Sequence, residues 1–105
     1  MIEIVSTREQ LERCWAIRME VFVEEQRVPV EEEVDALDTA PETIHLLASR
    51  DGRDLGTARI LPEEPGHCHI GRVAVLAAAR GLGVGRELMD AAGQRVQAVS
   101  DQVAY

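Results

Sequence analysis

The stretch Arg72-Val-Ala-Val-Leu-Ala-Ala-Ala-Arg-Gly-Leu-Gly-Val-Gly-Arg-Glu-Leu-Met89 decides how this chain folds. Its first apolar run, residues 73–76, reads as a short strand. Arg80, Gly81, Gly83 and Gly85 then form a glycine-rich turn, and residues 84–99 take on a helical pattern. A strand feeding a glycine loop that opens a helix is a device for holding phosphate. Glycine has no Cβ, so the backbone can approach a ligand closely. The free N–H groups of the first helical turn, backed by the helix dipole, point at an anion.

The spacing selects among three phosphate loops. A Walker loop needs Lys-Ser or Lys-Thr after its last glycine, and here Arg86-Glu87 follows Gly85. A dinucleotide fingerprint needs Gly-x-Gly-x-x-Gly. Counted from Gly81, its last glycine falls on Arg86, and only 19 residues follow, too few for the rest of such a domain. The third pattern, Arg-x-x-Gly-x-Gly, is met without a gap by Arg80, Gly83 and Gly85. That loop resembles the pyrophosphate loop of the GNAT superfamily of N-acetyltransferases, which bind acetyl-CoA. The plain alternative is a glycine turn without a ligand, because a lone motif is weak.

Three more segments carry the resemblance, in family order from Met1 to about Val99. Arg18-Met-Glu-Val-Phe-Val-Glu-Glu-Gln26 resembles the first helix of one GNAT branch. Gly56-Thr-Ala-Arg-Ile60 resembles its third strand, and Ile70-Gly-Arg-Val-Ala-Val75 its fourth. The resemblance implies an α+β fold, with a mixed, mostly antiparallel sheet and helices. It spans residues 1–105 as a single N-acetyltransferase domain that lacks the last strands. The implied function is transfer of an acetyl group from acetyl-CoA, as co-substrate, to a primary amine of a small molecule or peptide. The implied cofactor contacts are the backbone of Val73, Ala74 and Val75 along the pantetheine arm. Backbone groups of Gly81, Leu82, Gly83, Val84, Gly85 and Arg86 take the pyrophosphate, with Arg80 alongside. Some family members hold a general base near the start of the fourth strand. His69 lies at about that place, and an imidazole with its ordinary pKa near 6.5 suits the task. The bland reading of His69 is a surface histidine at a strand end. Glu24 and Glu25 are weaker candidates for binding the acceptor.

The chain departs from the family pattern after Val99. A GNAT domain continues with a fifth strand splayed from the fourth, a further helix and two more strands. That region often carries a tyrosine that protonates the leaving thiolate, but the surroundings of Tyr105 do not match its motif. Without a fifth strand, the apolar edge at residues 70–76 is expected to lie open, with Arg72 as its one charged guard. Such an edge pairs with another chain or aggregates. The rival reading is therefore a non-catalytic remnant that binds CoA weakly or acts as an interaction module.

Composition narrows the classes further. A chain of 105 residues fits one domain. At 46% hydrophobic residues it can build a globular core. With Trp15, Phe22 and Tyr105 as its only aromatics, that core must be aliphatic. A net charge of −8 argues against a nucleic-acid partner, which needs a basic face. Seven acids crowd the segment from Glu24 to Asp38 against one base, Arg27. They read either as a field for a cationic acceptor or as a solvated face. Cys14 and Cys68 make no disulfide scaffold, and Cys14 falls on an apolar helix face. No apolar run is long enough to span a membrane, and no signal peptide opens the chain. The cytoplasm is the expected compartment. His67-Cys68-His69 resembles a metal cluster only superficially, because neighbours on a strand point to opposite faces, and no metal is expected.

The remaining elements follow from periodicity. Residues 1–5 form a first strand. Ser6 with Glu9, or Thr7 with Gln10, would cap a helix whose stripe is Leu11, Cys14, Trp15, Val21 and Phe22. Arg18 falls inside that stripe and needs a partner, either in an acceptor site or in a structural ion pair. A short second helix is expected after Pro29. Residues 44–50 and 55–61 read as strands joined at Asp51-Gly52. Pro62 and Pro65-Gly66 are expected to break the chain before a fourth strand at about 69–76. In the last helix Val84, Leu88, Ala91, Ala92, Val96 and Val99 share one face.

Overall fold

A computed structural model describes residues 1–64 and 67–103. Tyr105, Pro65 and Gly66 lie outside the described residues, as do the side chains of Glu32, Glu63, Glu64, His67 and residues 97–103. The elements are β1 (Ile2–Ile4), α1 (Arg8–Arg18), a π-helical turn (Met19–Glu25), α2 (Val30–Glu33) and a 3-10 turn (Ala36–Thr39). They continue with β2 (Ile44–Arg50), β3 (Arg53–Glu64), β4 (His67–Val75), a second 3-10 turn (Ala77–Ala79) and α3 (Val84–Val103). The four strands form one antiparallel sheet in the order β1-β2-β3-β4.

Thr7 wins the competition for the start of α1. Its hydroxyl accepts from the Gln10 amide at 3.2 Å, while the Gln10 side chain accepts from the Thr7 amide at 3.0 Å. That reciprocal pair satisfies two otherwise orphaned donors. α1 then places Cys14 and Ile17 on one face of the sheet. There, with Val21, they meet Leu47 and Ala74. Burial pushes the Cys14 thiol up, which leaves it an inert core group. The opposite face of the sheet packs on α3. Leu46, Ala48, Ala58 and Ile60 meet Val84, Leu88 and Ala92. Ala91 and Val96 flank that cluster, so the expected face of the last helix holds as far as its side chains are described.

Gly56 sets how closely α3 approaches. A Cβ there would lie 2.8 Å from the Ala74 carbonyl oxygen and 3.0 Å from Leu88. Only glycine lets the first turn of α3 settle this near the β3–β4 pair.

Pro62 does not break β3, contrary to expectation. β2 pairing ends at Ile44↔Ile60, so Pro62 stands where β3 has one partner, and the register against β4 shifts just beyond it. A proline is tolerated where the ladder is one-sided and irregular. β3 and β4 are therefore both longer than their apolar runs suggest. Among the described residues no helix is long and apolar enough to cross a membrane.

Candidate active site

The glycine loop forms where β4 hands over to α3. Leu76 N–H donates to Leu55 O at 2.9 Å and closes the strand. Ala79 is buried and donates to Leu76 O at 2.9 Å, which turns the chain back over the core. Gly81 and Gly83 follow with φ of 85° and 82°. That left-handed region is costly for residues bearing a Cβ. No atom lies within 4 Å of the position a Cβ would take at either glycine. The first helical bond of α3 runs from Glu87 N to Gly83 O at 3.0 Å. The amides of residues 84–86 find no acceptor among the described residues. Gly85 differs from the other two glycines, because a Cβ there would meet Val75 at 3.6 Å. That is ordinary van der Waals contact, so neither space nor backbone conformation demands glycine at this position. The loop thus offers open space, unspent N–H donors and the positive end of a 20-residue helix. Those residues fit a pyrophosphate.

Arg80 stands at the start of the loop and makes contacts within the chain. Its Nε donates to Val75 O at 3.1 Å, and its Nη2 donates to both Glu25 carboxylate oxygens at 2.9 and 3.1 Å. The guanidinium braces the loop against β4 and against the end of the π-helical turn. Glu25 is thereby engaged as an ion-pair partner, and Glu24 is exposed. No local pattern signals the Glu25–Arg80 pair, because its members lie 55 positions apart.

β4 lies at the edge of the sheet, and β3 is its one partner strand among the described residues. Val73, Ala74 and Val75 therefore have a side with no partner strand, on which alternate backbone groups can pair with an extended ligand, although Arg80 already takes the Val75 carbonyl. Arg72 adopts φ of 49° and marks a register shift against β3 between Thr57 and Arg59. This β-bulge resets the alternation of the strand. Ile70 and Val73, three residues apart, both pack toward α3, and the Arg72 side chain reaches the α2 segment.

That side is occupied by a buried ion network. Arg18, 1% exposed, donates to Glu33 Oε1 at 2.7 Å, to the Glu33 carbonyl at 2.6 Å and to Asp38 at 2.7 and 3.1 Å. Arg59 donates to Asp35 at 2.9 Å and to Asp38 at 3.1 Å. Arg72 pairs with Asp35 at 3.4 Å and Glu33 at 3.6 Å. Three cations face three anions. Arg18 is therefore a structural ion-pair residue and not an acceptor ligand. Of the seven acids between Glu24 and Asp38, Glu25, Glu33, Asp35 and Asp38 hold arginines in place. A solvated face does not describe Glu33 and Asp38, which are buried, whereas Glu25 stays exposed. Burial alone would raise the Asp38 pKa, but hydrogen bonds and charge from Arg18 outweigh it and lower it. Burial lowers the pKa of His45, whose Nε2–H donates to the Asp38 carbonyl at 2.9 Å. One signal in the sequence pointed here: an arginine inside an apolar stripe, which demands partners.

His69 is exposed on β4 opposite Leu61. Its ring lies over Gly71, where a Cβ would stand 3.3 Å from Nε2. It is thus reachable from solvent, three residues before the bulge. Cys68 turns the other way and packs toward α3.

Comparison with known proteins accords with this geometry. The sequence model of the acetyltransferase (GNAT) family matches residues 7–101. The uncharacterized N-acetyltransferase YjcF of Bacillus subtilis (strain 168) is 36% identical over 88 residues, which are 84% of this chain and 61% of YjcF. An acyl-CoA N-acyltransferase from Pseudomonas aeruginosa superposes with a TM-score of 0.80 at 38% identity, over 94% of this chain and 71% of that one. A GNAT family acetyltransferase from Brucella melitensis, solved in complex with acetyl-CoA, gives a TM-score of 0.76 at 25% identity, over 93% and 70%. The chain therefore spans about three fifths of the length of the curated relative and about 70% of these solved chains. It belongs to the acetyltransferase (GNAT) family, and its α+β fold is the GNAT fold without the last strands.

Proposed function

We propose that this GNAT chain serves N-acetyltransfer from acetyl-CoA to a primary amine of a small molecule or peptide. The observation that carries the reading is the loop itself. Gly81 and Gly83 hold left-handed backbone over open space, just before the unspent amides that begin α3. Acetyl-CoA would supply the activated acetyl group as a thioester. The amine nitrogen bonds to the carbonyl carbon, the C–S bond breaks, nitrogen gives up its remaining excess proton, and the thiolate takes up a proton from water so that CoA leaves as its thiol.

The protein's part in this scheme is mostly positioning. The backbone of Gly81, Leu82, Gly83, Val84, Gly85 and Arg86 holds the pyrophosphate, with the helix dipole favouring the negative charge. The free side of Val73, Ala74 and Val75 aligns the pantetheine arm. His69 takes the proton from the acceptor ammonium, as an exposed imidazole on β4 can act as a general base.

A second reading has one observation in its favour: the outer edge of β4 lacks a partner strand among the described residues. On that reading the chain binds CoA weakly without turnover, or acts as an interaction module. Two measurements separate and test the readings. CoA binding by calorimetry is expected to weaken by at least ~1.4 kcal/mol, tenfold, in Gly83→Val. There the new side chain enters the open space, and φ of 82° strains it. Equal affinity in both proteins would remove the loop from the site. Release of CoA thiol that depends on an added amine would support transfer over mere binding.

A further inference from the structure

We propose that Glu25 is a positioning residue for the CoA loop, acting through Arg80. This rests on the reading that the loop takes the pyrophosphate of CoA. Gly81 and Gly83 flank a short connection, and glycine loses more conformational freedom on ordering than any other residue. A loop built this way needs an external brace if it is to be formed before its ligand arrives. Arg80 supplies the brace at the loop's start, with Nε on the Val75 carbonyl at 3.1 Å. Glu25 fixes the far end of the same guanidinium through both carboxylate oxygens, at 2.9 and 3.1 Å.

The π-helical turn is what places that carboxylate. Gln26 N–H donates to Val21 O at 3.2 Å and Val28 N–H donates to Phe22 O at 2.9 Å, so the chain widens as it leaves α1. Phe22 packs toward the same cluster as Leu76, the residue after β4. Glu25, three positions on, then faces the loop. π-helical insertions of this kind recur where a side chain must be aimed. The pair links the helix that begins the fold to the loop that begins α3.

Two roles for Glu25 predict opposite signs. A carboxylate that merely neighbours the phosphate site repels the ligand, and its removal would strengthen binding. A carboxylate that holds the brace helps the ligand, and its removal weakens binding. Calorimetric titration of CoA into the 105-residue chain distinguishes them. Glu25→Gln is expected to bind CoA about twofold to fivefold more weakly, with an unchanged melting temperature. Glu25→Asp, which keeps the carboxylate, is expected to fall between the two. The double variant Glu25→Gln/Arg80→Gln is expected to bind no worse than Arg80→Gln alone, because the two residues act as one unit. In the ligand-free protein, exchange of the Arg80 and Leu82 amides, which donate to Ala77 O and Ala79 O, is expected to speed up in Glu25→Gln. Glu25→Ala, which likewise removes the carboxylate, carries the same comparison should Glu25→Gln fail to fold. Equal or tighter CoA binding by Glu25→Gln, or strict additivity in the double variant, would overturn the proposal while leaving CoA binding intact. A wild type that binds no CoA would overturn the functional reading and this proposal together.

Discussion

A guanidinium with almost no water around it must be matched group for group. Arg18 is matched by Glu33 and Asp38, both as buried as itself. Deleting one member of such a set strands the others as uncompensated buried charges, at a cost of about 3–5 kcal/mol. A domain of this size has only about 5–15 kcal/mol in total. Arg18→Met is thus expected to lower the urea midpoint severely or prevent folding. A midpoint equal to wild type would show that the network carries no stability. His69 presents the opposite case, exposed and attached to no core. His69→Ala is expected to leave the midpoint alone and to lower turnover by about 10²-fold. An unchanged pH–rate profile in that variant would move the proton acceptor elsewhere. The two residues were also unequally legible in the sequence. Arg18 announced a need for partners, and only the structure could say which. His69 announced only a position, and the structure adds its exposure without adding a role.

At the scale of elements, the segment containing α2 and the following 3-10 turn is held largely by charge. Val30, Val34 and Leu37 on it are exposed, while Glu33, Asp35 and Asp38 anchor it to α1, β3 and β4. Its stability must then follow pH. His45 has its folded pKa below the ordinary value of 6.5, so the unfolded chain takes up that proton first. Its contribution is present above about pH 6.5 and is lost as pH falls below it. Asp38 has its folded pKa below the ordinary 3.8. Its contribution is present above that value and is lost as pH falls through the folded one. Both act in the same direction. The urea midpoint is expected to hold at neutral pH, decline gently toward about pH 4 and drop steeply below it. In His45→Gln the gentle decline should vanish and the steep one remain. A midpoint flat from neutral pH to about pH 3 would sink this account. Short-range chemistry made other elements readable. The Thr7–Gln10 box, the Asp51-Gly52 hairpin and the periodicity of α3 are all written within a few residues. Long-range matching hid the rest. Gly71, next to Arg72, is a local sign of a bulge, but which face the Arg72 side chain takes depends on Glu33 and Asp35, far off in sequence.

For the molecule as a whole, the sheet's asymmetry matters most. β1, at one edge, is three residues long. β4, at the other, is nine residues long, and β3 is its one partner strand among the described residues. Ile70, Val73, Val75 and Leu76 remain only half-buried along or beside it. An apolar edge without proline invites another chain. The bulge at Arg72 limits the invitation, since it divides the strand into two short straight runs. Extended stacking needs a longer flat edge, so pairing of two copies is favoured over fibre growth. The 105-residue chain is therefore expected to dimerise, aggregate or depend on a partner fragment, and to acetylate poorly alone. The same free backbone groups are those proposed for the pantetheine arm, so self-pairing and CoA should compete. Added CoA is expected to shift the dimer toward monomer in light scattering. Fusing the C-terminal strands of a related GNAT domain should restore both monodispersity and amine-dependent thiol release. A monodisperse monomer with full acetyltransferase activity and no fused strands would show that this edge needs no cover and that four strands suffice for the chemistry.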